Sequence, residues 1–268
     1  MNLQDIATEV VAALGRGVQI APVSTRVEGF DLESAYCVAA EVRALRIARG
    51  ERPVGRKIGF TNRTIWAEYG VWAPIWGYVY DSTVRNLPNG SGELQLATLA
   101  EPRIEPEIVF GLKSAPTPGA DDAALLGCIE WVAHGFEIVQ SIYPGWKFAA
   151  ADTVAAYGLH GALLIGPRHA VASRRDEWLS TLGSFEIELL CDGVVMDRGR
   201  AANVLDGPLS TLRHVVGVLA RDPVNPPLAA GEIVTTGTLT RALPIAPGQT
   251  WTTALRGVAL AGLSVKVS

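Results

Sequence analysis

The chain has 268 residues, of which 49% are hydrophobic and 19% charged, and its formal net charge is −4. That length and apolar content suit one large globular core with or without a smaller appendage, while scattered basic residues with no basic stripe carrying aromatics exclude nucleic acid as the expected partner. No segment has the unbroken apolar length of a membrane span, the first residues carry Asp5 and Glu9 where a secretory leader would be basic, and Cys37, Cys128 and Cys191 lie far apart, so reduced thiols and a cytoplasmic setting are expected.

The first elements are helical. Leu3 to Leu14 places apolar residues at helical spacing, and Asp31 is a candidate N-cap for a longer helix through LESAYCVAAEVRALRIARG that stops at Gly50. VGRKIGF follows, and TNRTIWAEYG predicts a helix capped by Thr61 or Asn62. Beyond Leu94 the β-content rises, with strands expected at 104–111, 136–140, 161–166 and 232–236, a hairpin over 184–198 turning at Asp192-Gly193, and paired runs near 250–255 and 258–267. Helices are expected at DDAALLGCIEWVAHG, at DTVAAYG and at PLSTLRHVVGVLARD, the last with a proline in its first turn. Ser114 to Asp122 reads as a surface loop. Regular alternation of strand and helix is missing, so the class is α+β, with a helical part over 1–75 and a β-rich core over 76–268.

RIEPEIVF raises the chemical question. In a strand Glu105 and Glu107 share a face, and Pro106, without an N–H, belongs at a strand start, an edge or a bulge, which places the pair at a rim. Two adjacent like charges need a wet face, a shared proton or a cation between them. Glu137, in HGFEIVQS, is a third acid in apolar company. Three carboxylates from two strands would form a hard oxygen site of the kind Mg²⁺ or Mn²⁺ prefers, and histidines that never cluster speak against zinc. Lys57, between Gly55 and Gly59 in VGRKIGF, is either a snorkelling surface lysine or a group facing a ligand. Asp81 reads as a turn former or a site acid, and Asp152 as a helix N-cap or a site acid. His134 suits a helix C-terminus, and His160, beside Gly161, is a buried donor or a site group.

Taken in order, GRKIGFTN, YGVWAPIWGYVYD, PRIEPEIVF, FEIVQS, KFAAADTVA and TGTLTRALPIAPGQTW resemble the 2-oxopent-4-enoate hydratase and 4-oxalocrotonate (2-oxo-3-hexenedioate) decarboxylase family of the fumarylacetoacetate hydrolase superfamily. The resemblance covers nearly the whole chain. It implies a mixed β-roll core, a homo-oligomer with possible association with a pathway enzyme, and Mg²⁺ or Mn²⁺ held by Glu105, Glu107 and Glu137. It also implies an unsaturated 2-oxo acid substrate from aromatic-compound catabolism, with Lys57 and Asp81 catalytic; Asp152 and Thr236 are expected around the substrate, together with Tyr157 and His160, polar groups that the pattern lacks. Two places depart from the pattern. Ala156-Tyr157 stands where members carry Asp-Asn, and Asp206-Gly207-Pro208-Leu209 where they carry Gly-His-Pro-Leu. PIWG, WKF and TRALPIAPGQ resemble the decarboxylase branch more than the hydratase branch. An acylpyruvate hydrolase, or a partner subunit without activity, is the alternative reading.

Overall fold

The computed structural model describes residues 2–268. Two sheets form its β-core. The larger has nine strands, with Ile75–Tyr80 at one edge, followed by Pro53–Gly59, Ile233–Thr235, Arg103–Leu112, Ile129–Val139, His160–Ile165 and Val84–Asn86; two short strands add to its middle. The smaller runs Val194–Arg200, Glu186–Cys191, Thr250–Arg256, Ser264–Val267 and Ser91–Leu94. Between the sheets lie Ile104, Phe136, Leu189, Trp251 and Val265, all buried. His134 ties the sheets together: one ring nitrogen meets the Glu107 carbonyl at 2.9 Å and the other the Thr253 hydroxyl at 2.8 Å, and burial lowers its pKa to about 4.

The N-terminal helices pack as expected. Leu3–Ala13 is capped by Asn2 and Leu32–Ala48 by Asp31, whose carboxylate accepts the Ser34 N–H at 2.9 Å. Their apolar faces bury Ile6, Val10, Val38 and Val42 against the helix Ala150–Ala155. Asn62, one of the two expected caps, accepts the Thr64 N–H, though it opens only a 3₁₀ turn and a single helical turn, Trp66–Tyr69. Pro53–Gly59 lies inside the large sheet, paired with Ile75–Tyr80 and Ile233–Thr235. The chain thus enters the sheet ahead of residue 75, where the division into helical part and β-rich core was expected.

Two expectations need correction. The helix predicted across DDAALLGCIEWVAHG ends at Gly127, and Ile129–Val139 is a strand. Most of this strand is buried on both faces, which erases the two-residue alternation that marks a half-exposed strand. His134 is accordingly a strand residue and does not sit at a helix end. Pro106, second, does not mark a rim. It pairs with Phe136 in the middle of the sheet, and its other flank falls in a gap, because Ile233–Thr235 pairs with residues 109–111 and Leu243–Pro244 with residues 103–104. Between them residues 236–242 leave the sheet as a loop, so the missing N–H of Pro106 interrupts no continuous ladder on that side. That gap opens the sheet beside the two glutamates. No helix among the described residues is long and apolar enough to cross a membrane, and the three cysteines are free thiols.

Candidate metal centre and substrate cleft

Strand register brings the acids together. Glu105 faces Glu137 directly across the ladder, Glu107 follows two residues along the same face, and one carboxylate oxygen from each lies within 4.8 Å of the others. Glu107 and Glu137 are fully buried and Glu105 borders the cleft. At that spacing each pair of charges repels by about 3 kcal/mol at an effective dielectric of about 20.

The surroundings offset only part of this repulsion. Glu107 Oε2 accepts the Gly237 N–H at 2.7 Å, while its Oε1 has no hydrogen-bond partner. Gly237 adopts φ +86°, and a Cβ there would lie 2.1 Å from the Thr61 hydroxyl oxygen, so only glycine lets this backbone approach the acid. Glu137 Oε1 accepts from His160 Nδ1 at 2.8 Å; its Oε2 lies 3.3 Å from Lys57 Nζ, a charge contact without hydrogen-bond geometry. The Lys57 ammonium donates instead to the Gly158 carbonyl at 2.9 Å.

The acids respond differently. Burial and the neighbouring charges of Glu137 and Glu105 push Glu107 well above the ordinary carboxylate range. Glu105 rises to about 7, chiefly by burial, against the pull of Lys57. Burial would raise Glu137 too, yet Lys57 and His160 outweigh it and hold the pKa low. Lys57 is raised: burial works against its charge, and the three carboxylates more than compensate. Two buried, unpartnered carboxylate oxygens, one on Glu107 and one on Glu137, facing a third carboxylate fit a hard divalent cation.

A cleft of about 700 Å³ reaches the acid cluster at Glu105 and Lys57. Phe60, Tyr69, Trp146 and Phe148 form its aromatic side, with Phe60 and Tyr69 centroids 4.7 Å apart. Arg103 shares the strand face of Glu105 and lays its guanidinium 4.0 Å over the Trp146 ring, and no acid among the described residues pairs with it. The same two-residue alternation that groups the glutamates would have identified Arg103 from the sequence. Trp146 and the cleft-lining Thr238 and Thr240 come from loops and carried no such signal.

Other expected site residues lie elsewhere. Asp81 is bound to Arg52, accepting its backbone N–H and its guanidinium, each at 2.9 Å, and it does not reach the acids. Asp152 is fully occupied: it accepts the Ser24 N–H and hydroxyl at 2.9 and 2.6 Å and the Ala149 N–H at 2.8 Å. It is therefore a buried anchor between the N-terminal segment and the helix Ala150–Ala155. Asp152→Ala is expected to cost roughly 3 kcal/mol of stability through lost charge-assisted bonds, lowering Tm by several degrees with kcat within twofold; a lost kcat at unchanged Tm would contradict this role. Thr236 donates its hydroxyl to the Ile108 carbonyl at 3.1 Å and is buried, one residue short of the cleft lining.

Residues 156–160 form a partition. Gly158 and Leu159 line the cleft, whereas Tyr157 and His160 face away from it into a second cavity. Gly77 makes the partition possible, because a Cβ there would lie 2.1 Å from the Tyr157 carbonyl oxygen. His160 still touches the acid cluster through Glu137, while its Nε2 meets the Thr83 hydroxyl at 2.9 Å.

No family model matches the chain. The 2-hydroxyhexa-2,4-dienoate hydratase of Comamonas testosteroni is 30% identical over 247 residues, covering 92% of this chain and 90% of that protein. The 4-oxalocrotonate decarboxylase of Pseudomonas sp. (strain CF600) is 33% identical over 226 residues, 84% of this chain and 81% of that one. Among solved structures, 4-oxalocrotonate decarboxylase from Pseudomonas putida G7, complexed with magnesium and adipate, superposes with a TM-score of 0.89 at 26% identity, covering 99% of this chain and 97% of the other. Fumarylpyruvate hydrolase from Pseudomonas aeruginosa, at a TM-score of 0.55 and 15% identity over 80% of this chain and 88% of the other, shares the fold. With its glutamate triad, its α+β core and these relatives, the chain belongs to the 2-oxopent-4-enoate hydratase and 4-oxalocrotonate decarboxylase family.

Proposed function

We propose that this protein is a metal-dependent lyase that decarboxylates an unsaturated six-carbon 2-oxo diacid of the 2-oxo-3-hexenedioate type. Glu105, Glu107 and Glu137 would hold Mg²⁺ or Mn²⁺, which would supply Lewis acidity toward the 2-oxo acid group. The observation that carries the choice of substrate is Arg103. Two residues along a strand span about 6.8 Å, and four carbon–carbon bonds separate the 2-oxo carbon from the distal carboxylate, roughly 5 Å. A diacid whose 2-oxo end lies at the glutamates therefore brings its far carboxylate to a cation with no partner of its own. The solved relative that carries adipate, a six-carbon diacid, supports that length.

The chemistry suits the residues present. Loss of CO₂ leaves the C5–C6 bonding pair on C5. The pair spreads through the C3–C4 double bond to the 2-oxygen and yields 2-hydroxypenta-2,4-dienoate once that oxygen takes a proton. No base has to remove a proton from carbon. Lys57, held charged by its neighbours, supplies positive charge at the cleft wall, and the aromatic side excludes water. Hydration would require a further acid or base to handle water, and here Asp81 and Asp152 are engaged elsewhere while Ala156-Tyr157 replaces the pattern's Asp-Asn. His160, fixed between Glu137 and Thr83, is not positioned as the water activator of an acylpyruvate hydrolase. A cytoplasmic homo-oligomer, with possible association with a neighbouring enzyme of aromatic catabolism, completes the reading.

The test is a parallel assay with 2-oxo-3-hexenedioate, 2-hydroxypenta-2,4-dienoate and acetylpyruvate in the presence of Mg²⁺. CO₂ release from the diacid is expected, with Arg103→Met raising KM for it by about ten- to a hundredfold, the worth of a charge-assisted bond. Water addition to the dienoate without CO₂ release from the diacid would overturn the assignment. The pH dependence of cation binding follows from the same geometry. Glu105 and Glu107 retain protons that a cation must displace, so apparent Mn²⁺ affinity should rise as pH rises toward 7, by about tenfold per unit for each proton released. Titration calorimetry between pH 5.5 and 7.5 checks this, and a flat profile would contradict the raised carboxyls.

A further inference from the structure

Behind the partition lies a second cavity of about 300 Å³, between the N-terminal helices and the large sheet. Its charge is one-sided. Arg46, Arg49 and Arg85 line it against a single acid, Glu51, and that acid is already taken by the Arg46 guanidinium and the Ser82 hydroxyl. Arg49 and Arg85 form no ion pair among the described residues, and both side chains are exposed at the cavity mouth. Deeper in, Gln140 is 3% exposed; its Oε1 accepts the Ala100 N–H at 3.2 Å, and its Nε2 has no protein partner among the described residues. The Gln140 amide, on a buried residue of the lining, and two unpaired guanidinium groups form a set of donors without protein acceptors. Tyr157 and His160, both foreign to the family pattern at these positions, line this cavity.

We propose that this rear cavity is a second binding site, for a small anion bearing a carboxylate or phosphate group, held by Arg49 and Arg85 and by the Gln140 amide. A guanidinium fork recognises either planar carboxylate or phosphate oxygens, and the volume admits an anion of a few heavy atoms. The site is separate from the cleft in position, with residues 156–160 between the two, and its lining is independent of Arg103 and Lys57 in the cleft. The proposal does not depend on which substrate the cleft takes.

Calorimetry on the cation-free protein, with inorganic phosphate in one arm and succinate in the other, tests this, and Arg103→Met separates binding in the front cleft from binding at the rear. Saturable binding of at least one probe is expected, and the arm that binds identifies the anion class. The double variant Arg49→Gln, Arg85→Gln, altered only at exposed side chains, should weaken it at least tenfold with Tm unchanged, and Arg103→Met in the front cleft should leave it intact. No saturable binding of either probe, or binding that survives the double variant and disappears in Arg103→Met, would overturn the proposal.

Discussion

Glu107→Gln is expected to abolish tight divalent-cation binding and to lower turnover by about a thousandfold or more, because the substitution removes one of three charges from a site whose other partners cannot replace it. The fold should survive. The amide oxygen of glutamine can still accept the Gly237 N–H that Glu107 Oε2 accepts at 2.7 Å, and the burial and neighbouring charges that push Glu107 well above the usual carboxylate range no longer act on an ionisable group. The cation-free variant should therefore melt no lower than the cation-free parent. Calorimetry with Mn²⁺ and a thermal melt separate the two effects, and full Mn²⁺ affinity in the variant would remove Glu107 from the ligand set.

Lys57→Met is the second large effect. Among the described residues Lys57 is the only ammonium at the acid cluster, 3.3 Å from Glu137 and fixed by the Gly158 carbonyl. Its loss should cut turnover by about 10²- to 10⁴-fold, the range for a positioned proton-bearing group. Mn²⁺ affinity should stay the same or tighten, since a cation competing for Glu137 Oε2 is gone. Without a divalent ion, the variant leaves Glu137 with His160 alone and should lose roughly 3 kcal/mol of stability. Turnover within tenfold of the parent would exclude Lys57 from the chemistry.

What the sequence revealed follows a physical division. Short-range signals were legible: Asp31 caps its helix, Asp192-Gly193 turns its hairpin, and the alternation in RIEPEIVF places Glu105 and Glu107 on one face. Arg103 was equally legible on that face, two residues before Glu105 in the same strand. The strand Ile129–Val139 was hidden because burial on both sides removes the alternation by which strands are recognised. The roles of Asp81, Asp152 and Thr236 depend on Arg52, Ser24 and Ile108, partners between 29 and 128 positions away, which no local pattern discloses. The rear cavity is similar. It collects up to four residues from each of several distant segments, and in the sequence only the departure at Ala156-Tyr157 pointed to this part of the chain.

The central claim is that the three glutamates are ligands of one hard cation, and anomalous diffraction from crystals soaked in Mn²⁺ tests it most directly. A single manganese peak within bonding distance of Glu105, Glu107 and Glu137, with Lys57 still on the Gly158 carbonyl, is the predicted result. No peak at the triad, with Glu137 engaged only by Lys57 and His160 or the manganese bound elsewhere, would contradict it.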